Sequence, residues 1–165
     1  FSFLQSKNLY TVDDLDNALH AMQDKIDTLK KSASSKQARI KEVDELLRMV
    51  DYYKSGKPAA DKLKSIRFEK SRQKYKAEHD NELRTFYMAE RKLKPYFKDG
   101  KLPITAWRKE RAQLEQEYRD IQTELSPLHA DAKKLWAIHY NIYEVQHEQE
   151  RQNTELRQKK QEIEH

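Results

Sequence analysis

The sequence predicts an all-α fold, an elongated antiparallel three-helix bundle or coiled-coil hairpin, and three observations carry that expectation. Apolar residues recur at alternating steps of three and four over most of the chain, the period of an amphipathic helix. Only two glycines occur, Gly56 and Gly100, each followed within three residues by a proline, Pro58 and Pro103. Charged residues make up 37% against 36% hydrophobic, with a mean hydropathy of −1.14. Such polarity suits narrow apolar stripes on long helices and does not suit a thick globular core. The repeats weigh against disorder, the other state that this composition allows.

Residues 1–10 open with a short apolar stub from Phe1 to Leu4 and are expected to be a linker from a missing upstream domain. The first helix, about 11–54, starts at Thr11. Its hydroxyl can cap free backbone amides, and Asp13 and Asp14 oppose the positive end of the helix dipole. The ladder then runs Val12, Leu15, Leu19, Met22, Ile26, Leu29, Ala33, Ile40, Val43, Leu47 and Val50. That is roughly 40 residues, or about 60 Å at 1.5 Å per residue. Tyr52 and Tyr53 close it, and Gly56 with Pro58 is expected to stop it.

The second helix, about 59–94, carries the stripe Phe68, Tyr75, His79, Leu83, Phe86, Glu90 and Leu93. Leu63 and Ile66 fall on the opposite side at 100° per residue, which leaves open a separate first turn, a phase shift or a second contact surface. Asp99 to Pro103 form the next turn, with Thr105 as the expected cap of a third helix over about 105–146. Trp107, Leu114, Ile121, Leu128, Leu135 and Ile142 make its ladder, widened by Tyr118, Leu125 and Ala132. Pro127 lacks an amide hydrogen and crowds the carbonyl of Thr123, so either a kink near 127 or a fresh start capped by Ser126 is expected. Residues 147–165 form a polar helical tail that should fray or need a partner, because Gln149 and Asn153 interrupt the ladder before Leu156 and Ile163.

Little here suggests catalysis. The chain has no cysteine, which removes thiolate chemistry and disulfides. His20, His79, His129, His139, His147 and His165 show no metal-ligand spacing. The glycines stand 44 residues apart and build no phosphate loop. The abundant carboxylates interleave with Lys and Arg, as on any solvated helix. No catalytic residue, metal ligand or cofactor is expected. No run of about 18 apolar residues occurs, so membrane insertion is not expected, and a reducing, cytoplasmic setting is.

Charge is distributed unevenly. Between Lys54 and Arg111 there are 18 Lys and Arg against 8 Asp and Glu, which leaves 15 against 20 elsewhere. Arg67, Lys70, Lys74, Arg84 and Lys92 are expected on the side of the second helix opposite its apolar stripe, with Asn81 and Met88 between them. A solvated face is one account of this pattern, and contact with DNA phosphates is the other. Tyr75, Phe86, Tyr87, Tyr96, Phe97 and Trp107 lie in the same basic region, where stacking on bases competes with packing in the core. Packing accounts better for most of them, while Tyr87 and Tyr96 are less firmly assigned.

From Ser65 to Glu115 the chain resembles the helical region downstream of the nuclease domain in relaxase/mobilisation proteins of Gram-positive mobile elements. The runs KSIRFEKSRQKYKAEHDNELRTFYMAERKLK and DGKLPITAWRKERAQLEQEY carry the likeness. LYTVDDLDNAL from Leu9 to Leu19 and RIKEVDELL from Arg39 to Leu47 are similar to the earlier part of that region. The turn with Gly100 and Pro103, followed by Trp107, is its most specific piece and is expected to be structural. The resemblance implies a non-catalytic accessory fragment of a DNA-processing protein, with the nicking tyrosine and metal-binding histidines upstream. Tyr10, Tyr52 and Tyr53 match no nucleophile. It implies DNA, accessory proteins of the transfer machinery or a second copy as partners. A purely structural coiled-coil spacer or dimerisation arm is the alternative.

Overall fold

The computed structural model describes residues 2–164 and is all-α, with no strand among the described residues. Phe1 of the stub and His165 of the tail lie outside them. Among the described residues five α-helices occur in order: α1 (Ser2–Ser6), α2 (Val12–Ser65), α3 (Glu69–Glu78), α4 (Asp80–Leu93) and α5 (Ile104–Glu164), with a 3-10 turn at Lys94–Tyr96 before α5. Among the described residues no helix is long and apolar enough to cross a membrane. The chain divides into two compact units, one formed by Phe1–Ala33 with Asp120–His165 and the other by Ser34–Arg119.

In the first unit, Leu15 and Leu19 of α2 pack on Leu135 of α5. The stub is more than a linker: Phe3, Leu4 and Leu9 close over this cluster, Lys7 pairs with Asp131 at 2.9 Å, and Lys134 sits over the Phe3 ring. At the start of α2 the Thr11 hydroxyl accepts a hydrogen bond from the Asp14 amide. The Asp14 carboxylate in turn accepts from the Tyr10 and Thr11 amides, a reciprocal cap. Those amide donors hold the Asp14 carboxyl below its ordinary value, the Tyr10 amide foremost. Asp16 meets His139 at 3.0 Å and Lys25 meets Glu124 at 3.6 Å, so rising numbers on α2 face falling numbers on α5.

Pro127 lies inside α5, which continues across it without a fresh start, and Ser126 is an exposed helical residue rather than a cap. Ile121, Leu125, Ala132 and Leu135 are buried on both sides of the proline and offset its missing hydrogen bond. Beyond Ile142 every described residue of α5 is exposed.

In the second unit, the expected helix boundary at Gly56 and Pro58 does not exist. α2 runs through both to Ser65, and the chain reverses at Ile66–Phe68, a turn containing neither glycine nor proline. Burial of Ala59, Ala60 and Leu63 supplies the reason, since the inward face continues past the proline and offsets its lost amide. Leu63 therefore belongs to α2, where it packs with Tyr75, Leu83 and Phe86. The expected single second helix is two, broken at His79, whose backbone takes φ −118° and ψ 28°. Phe68, placed on the apolar stripe by its spacing, precedes α3 and is 75% exposed.

A second cluster joins Val43, Leu46, Met49 and Val50 of α2 to Ala89 and Leu93 of α4 and to Trp107 of α5. The connection to α5 is a two-residue hairpin turn. Lys98 and Lys101 exchange both backbone hydrogen bonds at 2.9 Å, and Asp99 and Gly100 take φ values of 52° and 73°, the left-handed pair of a type I′ turn. Pro103, not Thr105, precedes the first turn of α5, and the Trp107 amide donates to the Pro103 carbonyl. Trp107 is buried edge-on to Tyr96 at 5.4 Å.

Candidate functional site

Arginine and lysine in the second unit fall into two groups once their partners are known. The first group ties helices together. Arg39 donates to both oxygens of Glu110 at 2.6 and 3.2 Å, Arg111 reaches Asp44 and Glu115, and Lys36 reaches Glu117 at 2.7 Å. The Arg39 guanidinium holds the Glu110 carboxyl below its ordinary value, and hydrogen bonds from Lys36 and Gln113 do the same for Glu117. Glu110, in turn, pushes Arg39 up.

The five expected phosphate ligands fall on three elements, with the helix break at His79 between the first three and the last two. Arg67 lies in the α2–α3 turn, Lys70 and Lys74 lie one turn apart on α3, and Arg84 and Lys92 lie on α4. Arg84 is engaged by Asp80 at 3.1 Å, and Lys92 approaches Glu45 at 3.7 Å. Arg67, Lys70 and Lys74 are exposed and pair with no carboxylate among the described residues. Lys62 joins this neighbourhood from the end of α2, its ammonium 5.5 Å from the centre of the Tyr75 ring. The Arg72 guanidinium donates to the Ile66 carbonyl across the turn.

Beside this basic turn an open groove of about 680 Å³ lies against α4. Leu63, Leu83, Tyr87 and Met88 give it an apolar lining, and Lys76, Arg84 and Arg91 place cations around it. Asp80 and Glu90 add carboxylates. Tyr87 stands edge-on to Phe86 at 5.3 Å and remains 36% exposed. Spacing alone did not reveal this groove. The spacing places Leu63 on one helix with Leu83 and Tyr87, whereas it meets them from α2 across the Ile66–Phe68 turn. Lysine density over residues 62–76 was the one signal in the sequence that pointed here.

Four of the histidines engage their neighbours. His20 contacts the Asp16 carbonyl, His79 stacks on Tyr75 at 4.1 Å, His139 meets Asp16, and His147 meets Tyr143. Among the described residues no three His, Asp or Glu side chains converge as a metal site would require. Gly100, Pro103 and Trp107 lie together at the α5 entry, Trp107 in the core and Gly100 in the hairpin turn. No protein-family model, curated protein or solved structure matches the chain.

Proposed function

We propose that this chain is a non-catalytic helical accessory domain of a mobilisation relaxase, engaging DNA from the basic α2–α3 turn in a cytoplasmic setting. One observation carries the DNA part: Arg67, Lys70 and Lys74 have no carboxylate partner, whereas Arg39, Arg111 and Lys36 are consumed in holding helices together. Exposed cations without partners retain their full attraction for phosphate, and binding that releases counterions weakens with salt. The relaxase part rests on the resemblance over Ser65 to Glu115. Arg84 and Lys92 are secondary contacts in this scheme, because each must leave a carboxylate first.

A salt titration with labelled single-stranded and duplex DNA tests it. Affinity should fall linearly on a log–log plot. Reversing Arg67, Lys70 and Lys74 to Glu should reduce the slope by about 2–3 and weaken binding tenfold or more. Absence of binding at low salt, or indifference to the reversal, sinks the DNA reading.

The alternative, a structural spacer or dimerisation arm, is favoured by a different observation. Trp136, Tyr140, Tyr143, Val145, Leu156 and Ile163 of α5 are all exposed. Sedimentation at tens of micromolar discriminates, since a monomer there removes the dimer.

A further inference from the structure

We infer that the groove formed by Leu63 of α2 and by α4 receives an unpaired base of single-stranded nucleic acid, with Tyr87 as its stacking surface. This deepens the phosphate-binding reading above and rests on it.

The groove's volume of about 680 Å³ lies within the range of small-ligand clefts, about 300–1,000 Å³. Its floor of Leu63, Leu83 and Met88 gives no hydrogen bond and suits a flat, weakly hydrated face. Tyr87 adds an aromatic ring that the fold leaves partly exposed, while its neighbour Phe86 is buried and stacked on Tyr53 at 5.0 Å. Phe86 braces Tyr87 edge-on, so the ring is pre-positioned.

Charge around the groove selects the occupant. Lys76 and Arg91 make no ion pair among the described residues and line the groove, which leaves them free to meet the phosphates flanking a bound base. The lining also holds carboxylates: Asp80, bound to Arg84, and Glu90. Glu90 has no ion-pair partner among the described residues and would repel a carboxylate side chain seated beside it in the groove. A base carries donors as well as acceptors on its edges and can use either sign. A base inside a duplex is stacked and cannot enter, so the occupant is single-stranded. Unpaired Lys70 and Lys74 on α3 extend the cationic surface along which its backbone would pass.

Fluorescence anisotropy at low salt, on the full chain, separates the two layers of this proposal. The probes are a labelled 15-residue oligothymidylate and an abasic oligomer of equal length, which keeps the phosphates and lacks the bases. The oligothymidylate should bind about tenfold tighter than the abasic strand. Tyr87→Ala should lower its affinity about five- to hundredfold and leave the abasic strand unaffected. Tyr87→Phe should retain the preference and Tyr87→Leu should lose it, which keeps the comparison decisive where the alanine variant folds poorly.

Equal affinity of wild-type protein for the two strands overturns the groove. If reversal of Arg67, Lys70 and Lys74 still weakens both strands, the phosphate reading survives alone. No binding of either strand overturns both. Tyr87-dependent capture of a glutamate-rich peptide in preference to the oligothymidylate also overturns the base assignment.

Discussion

Gly56 of α2 packs so tightly against Phe86 of α4 that a Cβ built on it would lie 2.6 Å from the Phe86 Cβ and 3.1 Å from the Glu82 carbonyl oxygen. Neither neighbour is the end of a flexible side chain, so the helices would have to separate. Gly56→Ala is therefore expected to lower stability despite alanine's helix propensity. Overpacking of about 1–3 kcal/mol outweighs a propensity gain of roughly 1 kcal/mol. Thermal unfolding checks this, and an unchanged or raised midpoint would contradict the close approach.

Gly100 answers to a different constraint. No atom lies within 4 Å of a Cβ built there, yet its φ is 73°. Gly100→Ala should cost about 1 kcal/mol through backbone strain alone, and Gly100→Asn, which tolerates this region, should cost less. Urea midpoints of the two variants give the comparison, and equal losses would point to packing instead.

Pro58 and Pro127 sit inside α2 and α5, where each removes one helical hydrogen bond. Pro58→Ala and Pro127→Ala are each expected to raise the melting midpoint, with an upper limit of about 3 kcal/mol from the measured helix cost of proline. Were Pro58 the first residue of a new helix, its replacement would be neutral or harmful. Calorimetry decides between the two.

Acid should loosen the contact between α2 and α5 in the second unit. The Glu110 carboxyl, hydrogen-bonded by Arg39, and the Glu117 carboxyl, hydrogen-bonded by Lys36 and Gln113, are both held below the ordinary range in the folded chain. The folded state thus binds fewer protons than the unfolded state as the pH falls through that range. Stability is fully present above the unfolded carboxylate value and declines until the pH passes the folded one. Glu110→Gln should flatten this decline in melts between pH 7 and pH 3, and an unaltered pH dependence would show that the pair contributes nothing. Both carboxylates are half-exposed, so the effect is modest and salt-sensitive.

Removing the end of α5 after Gln146 should leave the melting midpoint unchanged, because every described residue from 147 to 164 is exposed. The helical circular dichroism signal should fall by the share of those residues. A midpoint that rises with protein concentration in the intact chain, and not in the truncated one, would identify this end as a self-association arm.

The sequence by itself determined that the chain is helical and, over much of α2 and α5, which face turns inward. Leu15, Leu19, Ile26, Val43, Val50, Trp107, Ile121 and Leu135, all read from spacing, are buried. Periodicity is a local property, and one helix is enough to express it. Where the chain reverses was decided by tertiary structure. The glycine and proline that mark a stop locally lie inside α2, because Ala59, Ala60 and Leu63 find partners in Tyr75, Leu83 and Phe86. Burial against a distant segment overrides a propensity of a few kcal/mol, and no window of sequence contains both sides of that contact. The same holds for charge: Arg39 and Arg67 look alike along the chain, and only packing brings Glu110 to the first and leaves the second without a carboxylate partner.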